Sequence, residues 1–139
     1  MKTLIVDSSV IVKWLNQTKE QNLEQADKIL SEAREGKIQL IAPELAKYEV
    51  GNVLITKRVD PSNVKVSLGT FYSLPITFIA ESLSLAEKTY SLAYGLKLTY
   101  YDASFLSLAK QHNAALVTEN IKHQGKVSEI KVVSLAKYK

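Results

Sequence analysis

Short apolar runs of strand type alternate along this chain with segments whose apolar residues recur at helical spacing. That alternation restricts the fold more than any other feature. Leu4-Ile5-Val6, Ile38-Gln39-Leu40-Ile41-Ala42, Pro75 to Ile79, Ala114-Ala115-Leu116-Val117 and Ile130-Lys131-Val132-Val133 read as strands. Val10 to Leu15 reads as a short helix, and Leu23 to Ala33 carries apolar residues at 23, 26, 29, 30 and 33, with Gly36 as its stop. Pro43 suits the first turn of a helix through about Lys57, and Asp60-Pro61-Ser62 breaks the chain before a helix ending near Ser73. A helix from about Leu83 to Tyr94 stops at Gly95, and another begins near Tyr100. Strands separated by helices pair in parallel, because a parallel partner needs a crossover. The expected architecture is therefore an α/β three-layer sandwich, a central parallel sheet of about five strands with helices on both faces. The 139 residues contain no internal repeat, linker or low-complexity segment, which predicts one domain over 1–139.

The chemistry available is bounded by what the chain lacks. Cysteine is absent, so neither a disulfide framework nor a thiolate metal site is possible. The apolar run at the N-terminus ends at Asp7, too short for a secretion signal, and no stretch approaches a membrane span. The chain reads as cytoplasmic. Its formal charge of +4 favours polyanion binding through counterion release. Arginine occurs only at Arg34 and Arg58, so lysine point charges on a phosphate backbone fit better than bidentate base readout.

Four aspartates occur, at positions 7, 27, 60 and 102. Asp27 in a charged amphipathic helix and Asp60 in a turn have ordinary surface explanations. Asp7 directly follows an apolar strand, at the edge of an open parallel sheet where ligands gather. Capping of the helix from Ser8 explains it equally well. Glu49 lies one turn from Leu45 and Val53 and next to Val50, so it faces the core side, where an unpaired charge is costly. A metal ion would compensate it; so would a lysine at a solvent edge. Asp102 opens a stripe continuing through Phe105, Leu106 and Ala109, and Thr99-x-x-Asp102 also matches a capping box. Thr118-Glu119-Asn120 places a hydroxyl, a carboxylate and an amide after a further strand, or alternatively starts a helix. Together these segments put oxygen donors on one edge of the sheet. Hard oxygen donors without thiolate or imidazole select Mg²⁺ or Mn²⁺, ions suited to phosphodiester cleavage.

Four segments in order resemble the PIN domain. They are the strand ending in Asp7-Ser8-Ser9, Glu49-Val50-Gly51-Asn52-Val53-Leu54 after Ala42-Pro43, Tyr101-Asp102-Ala103-Ser104-Phe105-Leu106-Ser107-Leu108-Ala109, and Leu116-Val117-Thr118-Glu119-Asn120. The resemblance extends over essentially the whole chain and is nearest to VapC-type toxins of toxin–antitoxin pairs. It implies a PIN-like parallel five-stranded sandwich and a Mg²⁺- or Mn²⁺-dependent endoribonuclease. Asp7, Glu49 and Asp102 would be the acidic metal ligands and catalytic residues. Ser9 would support the first ligand and Thr118 would orient the last. The family commonly has aspartate where this chain has Asn120, with Glu119 beside it as a substitute; the departure bears on a second metal ion.

The resemblance also implies an RNA substrate, a small antitoxin that inserts into the acidic groove, and a homodimer. Tyr48, Trp14, Tyr100 and Tyr101 are candidate interface aromatics or core residues. Lys13, Lys47 and Lys122 are candidate rim lysines, and His112 and His123 are expected at the surface. Two other classes compete with the nuclease. Asn120 motivates a catalytically silent RNA-binding or scaffold domain of the same fold. A receiver-type signalling domain would also gather acids at strand ends, but Asp7 has no acidic neighbour.

Overall fold

The computed structural model describes residues 1–121 and 129–139, so Lys122 and His123 lie outside the described residues. Five parallel strands form one sheet in the order β3-β2-β1-β4-β5. They are β1 (Lys2–Val6), β2 (Ile38–Pro43), β3 (Ile76–Ile79), β4 (Ala115–Thr118) and β5 (Val132–Ser134). The helices are α1 (Ser8–Ile11), α2 (Leu23–Arg34), α3 (Ala46–Thr56), α4 (Pro61–Ser73), α5 (Leu83–Leu96) and α6 (Tyr100–Gln111), with 3₁₀ turns at Val12–Trp14 and Leu135–Lys137.

The chain steps from β1 to β2 to β3 in one direction, then returns past β1 to lay down β4. Right-handed crossovers make such a reversal switch faces. The connections carrying α1 to α4 therefore cover one face of the sheet. The return connection carrying α5 and α6 covers the other, with α6 packed against β1, β2 and β4. The strands are sandwiched, and Leu4, Ile5, Val6, Leu40, Leu116 and Val117 are all buried, as two-sided burial requires.

Two expectations about helix ends are corrected. Pro43 does not open a helix; it ends β2 opposite Ile79, and the ladder continues through the Glu44 amide, which donates to Ile79 O at 3.0 Å. A proline is tolerated there because pairing with β1 has already ended at Ile41, so no ladder bond is lost on the side that residue 43 faces. Gly95 does not stop α5 either. The helix runs one residue further, and Lys97 takes the left-handed conformation at φ 57° while the Leu98 amide returns to Ala93 O. Gly36 does close off α2 as read, at φ +76°. Asp60 accepts from the Ser62 amide at 2.8 Å and, with Pro61 at the first position, starts α4. Among the described residues no helix is long and apolar enough to cross a membrane.

Candidate active site

The sheet reverses its strand order between β1 and β4, and a crevice opens beyond the carboxyl ends of strands at such a switch point. Asp7 and Thr118 stand on its two sides, because Val6 pairs with Val117 and the Asp7 amide donates to Val117 O at 3.1 Å. Asp7 is 8% exposed, and its side chain makes no helix cap. Its Oδ2 instead accepts from the Ser9 hydroxyl at 2.6 Å and from the Thr118 hydroxyl at 2.9 Å. Each hydroxyl is itself oriented by a backbone donor. The Glu119 amide donates to Ser9 Oγ and the Asn120 amide to Thr118 Oγ1. The chain that follows β4 thus fixes the carboxylate that follows β1.

Glu49 reaches the same region from α3 and is half-buried. Its Oε1 accepts from the Ser8 hydroxyl at 2.9 Å. Ser8 has no separate role in the sequence reading. Its only signal there is adjacency to Asp7, which two neighbouring serines share. Asp102 lies in the first turn of α6, and its amide donates to the Thr99 hydroxyl at 3.0 Å, the half of the capping box that starts the helix.

Asp7 and Glu49 both feel the charge of Asp102. Burial raises the Asp7 carboxyl above its ordinary range; the Ser9 and Thr118 hydroxyls oppose this, and the charge of Asp102 adds to it. Burial likewise raises Glu49, against the Ser8 hydroxyl, with the charges of Asp7 and Asp102 reinforcing the shift. Among the described residues neither Asp7 nor Glu49 takes part in an ion pair. Like charges in a low-dielectric crevice constitute an electrostatic demand for a cation. The donor chemistry fits a hard divalent ion. Among the described residues, however, no three His, Cys, Asp or Glu side chains are arranged as a ready-made cage. The residue types nonetheless fit such an ion.

Other candidates are used elsewhere. Glu119 pairs with Lys13 Nζ at 3.0 Å and accepts from Asn22 Nδ2 at 3.2 Å. Lys13 is not a rim lysine: at 2% exposure it lies buried, bonded also to Glu20 at 2.8 Å and to Gln21 O at 2.6 Å. Lys47 pairs with Glu44 and sits over the rings of Phe78 and Tyr72. Trp14 is half-buried with its indole N–H on Ala26 O, whereas Tyr48 and Tyr101 are exposed. His112, expected at the surface, is half-buried at the end of α6.

The PIN domain family profile matches residues 4–128. The chain belongs to the PIN-domain family. That family is one of nucleases. No curated protein sequence matches the chain. Solved structures share its fold at low identity. VapBC2 of Rickettsia felis, bound to a DNA fragment from its promoter, superposes with a TM-score of 0.73 at 17% identity, covering 95% of this chain and 98% of that one. A Pyrobaculum aerophilum protein gives 0.69 at 24% identity over 95% and 90%. Mycobacterium tuberculosis VapC20, a toxin that cleaves the sarcin–ricin loop, gives 0.67 at 10% identity over 92% and 98%.

Proposed function

We propose that this PIN domain is a Mg²⁺- or Mn²⁺-dependent endoribonuclease, the toxin of a toxin–antitoxin pair. The observation that carries the reading is the doubly held Asp7 at the switch point, with Glu49 and Asp102 within its field. When bound, a divalent ion supplies a Lewis acid that neutralises phosphate charge and lowers the pKa of water. Asp7, Glu49 and Asp102 are the residues that would hold it. Ser9 and Thr118 keep the Asp7 carboxylate in one orientation, so little reorganisation is needed when charge develops. One of the three carboxylates would help to deprotonate the attacking water. Asn120, whose amide holds Thr118, contributes through its backbone whatever its side chain does. The departure from the family's aspartate therefore leaves the Asp7 arrangement intact.

One structural neighbour is a toxin–antitoxin complex from Klebsiella pneumoniae, and others are the DNA-bound VapBC2 of Rickettsia felis and VapBC of Salmonella typhimurium. By analogy this chain takes a small antitoxin and assembles as a homodimer, which sedimentation of the purified protein tests. The function is tested by incubating wild type and Asp7→Asn with single-stranded RNA and Mg²⁺ or Mn²⁺, with circular dichroism as a folding check. Cleavage by the wild type only is expected. Cleavage retained by folded Asp7→Asn refutes the assignment. Metal-independent RNA binding without cleavage by either protein would instead favour the silent scaffold, the reading that Asn120 motivates.

A further inference from the structure

Beside the acidic crevice lies a second feature that the cleavage reading does not use. A cleft of about 380 Å³ opens between α3, α5 and α6, at the carboxyl ends of β2 and β3 where Pro43 and Ile79 stand. Its size falls within the range of pockets that bury a small planar ligand. Leu45, Ile79 and Leu85 give it an apolar floor. Tyr48 and Tyr101 form part of its wall while remaining 77% and 58% exposed. These tyrosines immediately precede Glu49 and Asp102 in sequence, so the cleft lies beside the helix turns that carry those two acids. Two carboxylates, Glu44 and Glu81, complete the lining. Tyr100 donates its hydroxyl to Glu81, and Lys47 pairs with Glu44.

We propose that this cleft is a nucleobase subsite, taking an unpaired base next to the phosphate held at the acidic centre. The proposal rests on the reading that the chain acts on RNA. Glu81 offers a phosphate no donor, whereas a base has a flat apolar face for the tyrosines and the apolar lining. Stacking of splayed-out bases on aromatic side chains is the common mode of single-stranded RNA recognition. The carboxylates also select among bases. An ionised carboxylate only accepts hydrogen bonds, and it has about four lone-pair sites, so Glu81 retains acceptor capacity beyond its bond from Tyr100. Guanine presents N1–H and N2–H side by side and matches such a group best. Uracil, with one N–H between two carbonyl oxygens, matches it worst.

The test measures binding in EDTA, so that it does not depend on cleavage. Fluorescence anisotropy is followed for labelled UUGU and UUUU with the full-length protein. The wild type is expected to bind UUGU about tenfold more tightly, the scale of one well-made polar contact set. Tyr101→Ala and Tyr48→Ala, both at exposed positions, weaken both oligonucleotides by about tenfold, the scale of one lost stack. Glu81→Gln lowers UUGU to the level of UUUU. Equal affinity for the two oligonucleotides in the wild type, or tyrosine variants that bind as well as wild type, overturns the proposal. A tyrosine variant that changes the sedimenting mass without changing oligonucleotide affinity shows the cleft covered by a second copy, and overturns it too. A protein that discriminates UUGU yet never cleaves RNA keeps the subsite and loses the nuclease. One that cleaves without discriminating does the reverse.

Discussion

Two hydroxyls donating to one carboxylate oxygen fix Asp7 more firmly than either would alone, since each donor is itself held by a peptide amide. Thr118→Val keeps the shape of the buried side chain but removes both the donor to Asp7 and the acceptor for the Asn120 amide. Loss of such an orienting partner typically costs 10–100-fold. Cleavage by Thr118→Val should fall by about tenfold or more in single-turnover kinetics, with the secondary structure retained. Asp7→Asn separates charge from shape. The amide oxygen can still accept from Ser9 and Thr118, while the buried charge disfavoured by desolvation and by Asp102 is gone. In EDTA the variant should melt higher than wild type, by roughly 3 °C for about 1 kcal/mol. Asp7 was legible in the sequence because a charge ending an apolar strand is rare, although capping explained it equally well; the coordinates remove the cap. Ser8 was missed, and Thr118, expected to orient the last acidic ligand, holds Asp7 instead because β4 pairs with β1. A hydroxyl carries no net charge to look anomalous, and its role depends on a partner 111 residues away in the case of Thr118.

At the scale of elements, the segment after α1 is held by an ion network that no local pattern reveals. Lys13 bridges Glu20 and Glu119, and Lys57 at the end of α3 bonds Glu20 from the other side at 2.5 Å. The network joins the turn after α1, the end of α3 and the residues after β4, the last of which hold the site hydroxyls in place. Among the described residues, Lys13→Met removes the shared cation, leaving Glu20 with Lys57 alone and Glu119 with only the Asn22 amide beside a buried methionine. The expected loss is about 3 kcal/mol in urea unfolding. Its pH dependence follows from Glu20. Burial pushes that carboxyl up, but the hydrogen bonds and charges of Lys13 and Lys57 outweigh burial and hold it below its ordinary range. The folded state therefore binds its proton less readily than the unfolded chain does. The contribution is fully present above the unfolded value of about 4.3 and is lost as pH falls through the lower folded value. Lys13→Met should accordingly show a shallower loss of stability between about pH 5 and pH 3 than wild type does. The strands and long helices were legible because burial on two faces or on one stripe imposes a periodicity. Lys13 read as a rim residue because a lysine is ordinarily solvated, and nothing beside it in sequence shows that Glu20 and Glu119 converge on it. Pro43 and Gly95 misled for a related reason: local preference yields to register and packing at element ends.

Across the whole molecule, Asp7 at the end of β1, Glu49 on α3 and Asp102 on α6 come within one another's field only when the sheet and both of its helical faces are assembled. The unfolded chain therefore holds no equivalent site. An ion bound there stabilises the fold by mass action, about 2.7 kcal/mol at a hundredfold excess over the dissociation constant. Mn²⁺ or Mg²⁺ added to metal-free wild type should raise its melting temperature, and EDTA should reverse the gain. KCl at equal ionic strength screens the three charges without bridging them, so a smaller rise separates screening from coordination. Asp7→Asn supplies the sharper comparison. With one ligand charge removed it should gain little from the divalent ion, although it is the more stable protein in EDTA. The order of the two melting temperatures should thus invert between EDTA and Mn²⁺. Parallel shifts in both proteins would mean that the ion binds elsewhere on the surface, and the repulsion among these carboxylates would then need another purpose.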